Sequence, residues 1–140
     1  QVNDLIEFAS GAKDAVKATC IESLEYVSKS NASLATKSWL KFVTQTLKDK
    51  APRVKWESAR VIGNIAHLFP KDLEEAVTHL LVNSEHDGTV VRWSTAYALG
   101  EIIKLKLPLN KELVSAVESI CAREEKNSIQ KMYLQALKKV

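Results

Sequence analysis

The stretch DGTVVRWSTAYALGEIIK, from Asp87 to Lys104, decides the fold because it occurs twice. Its near-copy, KAPRVKWESARVIGNIAH, runs from Lys50 to His67. Trp56 answers Trp93, Ala59 answers Ala96, Gly63 answers Gly100 and Ile65 answers Ile102, each 37 residues apart. A self-similar period of this size marks a stacked repeat, whose unit cannot bury its apolar face alone and covers it with its neighbour.

Extending the register outward yields two more copies. Val16, Val54, Val91 and Ile129 open four equivalent helices. Leu24, Ile62, Leu99 and Leu137 follow one face further on, and then Val27, Ile65, Ile102 and Val140. The spacing of these apolar residues is helical throughout, with no alternation of the strand type. In chain order the pattern predicts the end of a helix at 2–10, closed by Gly11, then helices at 13–29 and 34–49. Further helices are expected from Pro52 to about Phe69, at 71–83, from the quoted stretch to about Leu107, at 110–124, and from 127 onward. Pro52 suits a first turn, where its missing donor costs nothing. The run Ser30-Asn31-Ala32-Ser33 and Asn110 offer helix caps.

With 46% apolar and 26% charged residues in 140, the chain is long enough to bury a core and too apolar for disorder. Cys20 and Cys121 lie in apolar helical patterns far apart, so both read as buried thiols in a reducing, cytoplasmic setting rather than a disulfide framework. No run is apolar and long enough to span a membrane. The chain begins at Gln1 rather than Met, which leaves processing, a longer parent chain and secretion open.

The pattern Asp87, Val90-Val91-Arg92-Trp93, Ala96, Leu99-Gly100 and Ile102 resembles the second helix of a HEAT repeat. The Lys50–His67 copy matches well but lacks the turn Asp; the outer copies match in apolar positions only. The resemblance implies an all-α fold, a right-handed α–α superhelix with about three helix pairs and a leading half-repeat. It would be a single domain over 1–140, divided into the half-repeat 1–31 and repeats 32–69, 70–107 and 108–140. It implies too that the second helices line the concave face, with Ala59, Gly63, Ala96 and Gly100 admitting close helix approach. HEAT repeats commonly join a turn Asp to an Arg as a ladder between repeats. Asp87 and Arg92 match those positions, Asp49 lies near the equivalent place, and Lys17 and Lys55 share the register of Arg92.

At about 100° per residue, the face opposite the core of the second helices carries four columns. They are Ala18, Glu22, Tyr26 and Lys29; Trp56, Arg60, Asn64 and His67, with Arg53 beside them; Trp93, Tyr97, Glu101 and Lys104; and Lys131, Gln135 and Lys139. Trp56 and Trp93 either lean into grooves between repeats as packing or stand exposed beside Arg as a binding patch. The four second helices hold twelve Lys and Arg against five Asp and Glu, a surplus of seven in a chain of net charge +3. Such an inner layer favours an acidic partner, protein or nucleic acid, unless the charges are merely solvated.

No phosphate loop, Walker motif or nucleophile elbow occurs. His79 and His86, with Glu85 and Asp87, make a metal site conceivable by spacing, but solvated polar residues explain them better. The Trp and cation columns also resemble those of HEAT-like DNA alkylation-repair glycosylases, which add one catalytic Asp. The positions one turn after Trp56 and Trp93 are Arg60 and Tyr97, so that carboxylate is missing. The expectation is a non-enzymatic scaffold without cofactor or metal. It binds a protein partner through Trp56, Arg60, Trp93, Tyr97, Lys104 and Lys131. Nucleic-acid binding by the same face is the alternative, and self-association through the solenoid ends stays open.

Overall fold

The computed structural model describes residues 2–140; Gln1, the first residue of the expected leading half-repeat, lies outside them. All regular structure among the described residues is helical: α1 (Val2–Ser10), α2 (Asp14–Ser30), α3 (Lys37–Thr46), α4 (Pro52–Ile65), α5 (Glu74–Asn83), α6 (Thr89–Ile103), α7 (Asn110–Arg123) and α8 (Asn127–Leu137). Two 3-10 turns, Ala32–Leu34 and Ala66–Leu68, join them. The odd-numbered helices are the first helices of four pairs, and the leading element is itself a pair with a nine-residue first helix. Successive second helices α2, α4, α6 and α8 pack closely, whereas first helices barely touch along their row. A stack tight on one side and loose on the other must curve. The result is an α-solenoid with the second helices on its inner, concave side.

Local chemistry shifts several expected boundaries. The third helix starts at Lys37 rather than near residue 34, because the Thr36 hydroxyl accepts the Trp39 N–H and caps it there. The fifth starts at Glu74, with Glu74 and Glu75 placed in the first turn where they suit the helix dipole. Helix α6 stops at Ile103, and Lys106 beyond it takes a left-handed φ of 57°. Asn110 does not cap α7. Its amide instead donates to the Ile103 carbonyl at 2.8 Å, fastening the start of α7 to the end of α6.

Helix α6 is the centre of the core. Nine of its 15 residues are buried, from Val91 to Ile103, so it is enclosed nearly all round and shows no amphipathic stripe. The register positions of Val54, Val91 and Ile129 are buried as expected, but Val16 is 45% exposed. Among the described residues, no helix pair packs on α2 at that side. Ala18, expected on the open face, is buried instead, since the neighbouring α4 closes over the α2 flank.

One polar device recurs at every joint. The N-cap residues of α4, α6 and α8 are Ala51, Gly88 and Lys126. The residue two places before each accepts that N-cap N–H: Asp49 at 3.0 Å, His86 at 2.8 Å and Glu124 at 2.9 Å. Four residues after each N-cap of α2, α4 and α6 stands a cation that reaches to the next turn. Lys17 meets Asp49 at 3.2 Å, and Arg92 meets Glu124 through two nitrogens at 3.0 and 3.4 Å. Lys55 finds His86 where its carboxylate would stand, and donates to the Leu47 carbonyl and Asn83 Oδ1 instead. The acid partner of Arg92 is therefore Glu124, and Asp87 contributes only its backbone carbonyl, at 2.9 Å.

Burial pushes the Asp49 and Glu124 carboxyls up, but backbone donors and their cations outweigh it and leave both below their ordinary values. The unfolded chain then binds these protons more readily than the folded one. The rungs contribute stability that is complete above the ordinary carboxylate range and is lost as pH falls through the folded-state values. Arg92→Ala is expected to cost about 3 kcal/mol at neutral pH, because it strands a buried carboxylate. Glu124→Gln is expected to flatten the acid limb of stability, read as urea midpoints between roughly pH 3 and 7.

Candidate functional site

The second helices deliver their outward residues to one concave surface, and its centre lies where α2, α4 and α6 meet. Helix α4 lacks a side chain at Gly63, and the ring of Tyr97 from α6 fills that place. A Cβ added at Gly63 would stand 2.4 Å from the ring. The Tyr97 hydroxyl donates to Asn64 Oδ1, and Asn64 in turn donates to the Glu25 carbonyl at 3.3 Å and to Ser28 Oγ at 3.0 Å. Burial, then Glu101 and Glu25 nearby, push the Tyr97 phenol up, so the proton that makes this bond stays in place. One chain of side chains thus ties three repeats together.

Trp93 stands on this platform. Its ring lies stacked on that of Tyr97, with centroids 6.3 Å apart and planes inclined by 15°. The guanidinium of Arg60 sits 5.4 Å from the Trp93 centroid, a cation–π contact. Arg60 Nε donates to Ser94 Oγ at 3.2 Å, which fixes the plane of the guanidinium. Beneath them Glu57 is 3% exposed and lies 3.8 Å from Arg53 and 3.9 Å from Arg60. Burial pushes the Glu57 carboxyl up against the pull of these two cations. A cavity of about 270 Å³ opens beside the platform, lined by Glu25, Lys29, Arg60, Asn64, Trp93 and Tyr97. The next joint holds a smaller one, about 190 Å³, with Tyr97, Glu101, Lys104, Gln135 and Lys139 among its walls.

Of the six residues singled out in the sequence, Arg60, Trp93 and Tyr97 come together at the first cavity, and Lys104 lines the second, ion-paired to Glu101. Trp56 is half-buried on α4 and Lys131 exposed on α8; neither lines either of these two cavities. Trp93, 38% exposed, lines the first cavity and Trp56 does not, so the two tryptophans, equivalent in sequence, differ in what they face. Glu57, Gly63 and Asn64 build the platform and were not read as such. Gly63 stood out in the sequence as admitting close helix approach, but its register equivalent is Gly100, and nothing in the pattern names Tyr97 as the ring that fills its place.

The charge reading changes as well. Lys17, Lys55 and Arg92 belong to the rungs between repeats, Arg53 pairs with Glu22 and Glu57, Arg60 with Glu57 and Lys104 with Glu101. Half of the twelve inner-layer cations are thereby committed within the chain. His79 and His86 are also apart in role: His79 lies 3.8 Å from Glu75, and His86 accepts the Gly88 N–H.

The sequence pattern of HEAT repeats matches residues 2–100. No curated protein matches the chain. Among solved structures, an engineered protein superposes with a TM-score of 0.81 at 18% identity, over 100% of this chain and 63% of that one. A designed armadillo repeat protein in complex with the peptide (KR)4 superposes at 0.80, 19% identical, over 96% of this chain and 62% of that one. The complex of CpcE and CpcF of phycocyanin lyase from Nostoc sp. PCC7120 contains a chain that superposes at 0.62, 16% identical, over 96% of both. The present chain spans about three fifths of the length of the two designed proteins. At these identities the likeness is one of fold.

Two substitutions probe the platform. Gly63→Ala must displace the Tyr97 ring and is expected to destabilise by about 1–3 kcal/mol, as overpacking does. Adding Tyr97→Ala should cost less than the two effects summed, a coupling read from urea unfolding. A carboxyl whose folded pKa is raised penalises the folded state once pH rises above its unfolded value. Glu57→Gln should therefore raise the melting temperature at neutral pH, and the gain should vanish below the ordinary glutamate range.

Proposed function

The chain belongs to the HEAT-repeat family, and on that premise we propose that it is a non-enzymatic scaffold that holds a segment of a protein partner against its concave face. The observation that carries this is Trp93. A large aromatic ring stays 38% exposed on a rigid base of Arg60, Tyr97 and Asn64, beside a cavity. Folding gains little from leaving such a ring in solvent, whereas exposed, pre-organised aromatics beside Arg are typical anchors for a partner. The polar groups under the ring are bonded to one another, so the site is built to hold rather than to react. Tyr97 and Lys104 extend the surface to the second cavity, and Trp56 on α4 and Lys131 on α8 complete the proposed contact set.

The similar designed armadillo protein is in complex with the peptide (KR)4, which supports a peptide segment as the kind of partner. HEAT and armadillo-like repeats are typically non-catalytic, and the positions where the glycosylase resemblance would need its Asp hold Arg60 and Tyr97. The nucleic-acid alternative loses its motive, since half of the inner cations are already paired. In this reading residues 1–140 act as one repeat domain, with the element 1–31 followed by repeats 32–69, 70–107 and 108–140. No helix among the described residues is long and apolar enough to cross a membrane. The buried free thiols Cys20 and Cys121 fit a reducing compartment, and the reading places the scaffold in the cytoplasm.

Selection of a displayed random peptide library should enrich ligands for the folded chain. Trp93→Ala should weaken the selected peptides by at least about thirtyfold, roughly 2 kcal/mol, with helicity unchanged. Peptides that bind Trp93→Ala equally well would end the proposal. Binding of duplex DNA that is steeply salt-dependent and survives in that variant would favour the alternative.

A further inference from the structure

A groove between α5 and α7, on the row of first helices, is apolar and unbridged, and we infer that it receives an amphipathic, basic-flanked helix of a protein partner. The inference comes from comparing two consecutive joints. Between α3 and α5, Gln45 donates to Glu75 at 2.6 Å and Lys37 lies 3.8 Å from Asp72. Lys41 and Thr44 make the rest of that wall largely polar, and the valley holds about 290 Å³. One period on, both bridging pairs are broken. Val82 stands at the register of Gln45 and Glu112 at that of Glu75; Glu74 stands at that of Lys37 and Leu109 at that of Asp72. Leu81 answers Thr44 in the same way.

The valley at this second joint is the larger, about 760 Å³, with Val77, Leu81, Leu109, Leu113 and Ala116 in its walls. Val82, one turn on from Thr78 of the same wall, is 65% exposed. Arg123 donates to Ser84 Oγ at 3.0 Å and ties the two helices at their C-terminal ends. Towards their starts the groove stays open. An exposed apolar surface, at a place where the neighbouring joint is polar and bridged, marks a contact site rather than a remainder of packing. Both walls lie inside the stack, and the Trp93 platform belongs to the other row of helices.

Two features select the occupant. The walls are helical, so their backbone groups are bonded along each helix, and the Thr78 hydroxyl already donates to the Glu74 carbonyl at 3.1 Å. An extended segment would leave its own N–H and C=O groups unpaired over the apolar floor, whereas a helix satisfies them itself. Glu74 to Val82 spans about 12 Å, so the occupant presents two turns, with apolar residues at i, i+4 and i+7. Charge is the second feature. Glu74 on one wall and Glu112 on the other are exposed, and among the described residues neither has an ion-pair partner. Both stand in the first turn of their helices, so the helix starts need no further anion. Lys111 is the one cation of the lining. The two first helices with their flanking turns, 70–88 and 108–126, carry nine Asp and Glu against four Lys and Arg. Lys or Arg beside the apolar stripe complements that field.

An NMR titration of the isotope-labelled full chain tests this, since it reads weak binding residue by residue. Three helical peptides of about 18 residues share one leucine stripe and differ only in flanks of lysine, glutamine or glutamate. The lysine peptide should shift amides of α5 and α7 around Leu81 and Leu113 saturably, with the Trp93 indole N–H unmoved. The glutamate peptide should bind at least about tenfold more weakly, and the glutamine peptide between the two. Leu81→Thr with Val82→Gln copies the α3–α5 wall and should weaken the lysine peptide by at least about tenfold. Glu74→Lys with Glu112→Lys should reverse the preference between lysine and glutamate peptides. Amide spectra unchanged away from the substitutions show that these variants stay folded. No shift in the groove with any peptide at about 1 mM would overturn the inference, as would equal binding of the lysine and glutamate peptides. So would shifts confined to the concave face, or variants that bind as the wild type does. Groove amides that move on concentrating the chain alone would overturn it too, by putting a second copy there.

Discussion

The solenoid depends on one cross-repeat contact, a cation near the start of α2, α4 and α6 that reaches towards the following repeat. Lys17 with Asp49 and Arg92 with Glu124 are ion pairs held between layers, and the carboxylates also accept the N-cap N–H of the helix they introduce. One acid thus fixes a helix start and a repeat spacing at once. An unpaired partner left there would be a buried charge, so the rung tolerates little displacement. The middle rung shows the same requirement solved differently. With His86 in place of the acid, Lys55 turns to a carbonyl and to Asn83, and Asn83 is itself held by donating to the Leu47 carbonyl at 3.1 Å.

Because the rungs set the spacing, the concave surface inherits its geometry from them. Successive second helices come close enough for Tyr97 to lie on Gly63 and for Asn64 to reach back to α2. That approach orients Trp93, which no backbone feature of α6 would do alone. The platform has hydrogen bonds and ring contacts in three repeats, so its shape answers to the stack as a whole. A scaffold that presents a pre-ordered anchor loses less entropy on binding than one that must assemble it.

The fold was legible in the sequence to an unusual degree, and for a local reason. Helix register is set by residues three and four apart, so Val54, Ile62 and Ile65 announce their common face without help from the rest of the chain. The site was legible only in outline. Arg60, Trp93 and Tyr97 stood on the predicted face, yet the same rule put Ala18 there, and the packing of α4 against α2 buries it. Equal rank was given to Trp56 and Trp93, and a surplus of cations to the inner layer, because register says where a side chain points and not what meets it. The register marks Arg92 for a ladder between repeats without naming its partner, Glu124, which lies 32 residues on.

What the sequence by itself determined is the repeat, its period, the eight helices and the apolar register they share. These follow from spacing within single helices, which the chain carries wherever it is placed. Only the tertiary structure decided which equivalents behave alike. Val16 and Val54 share a register and differ in burial, and Asp49 and His86 share a register and differ in partner. The difference comes from the neighbouring repeat, whose side chains arrive from roughly one period away in sequence, and a pattern that repeats cannot by itself say where in the stack each copy stands.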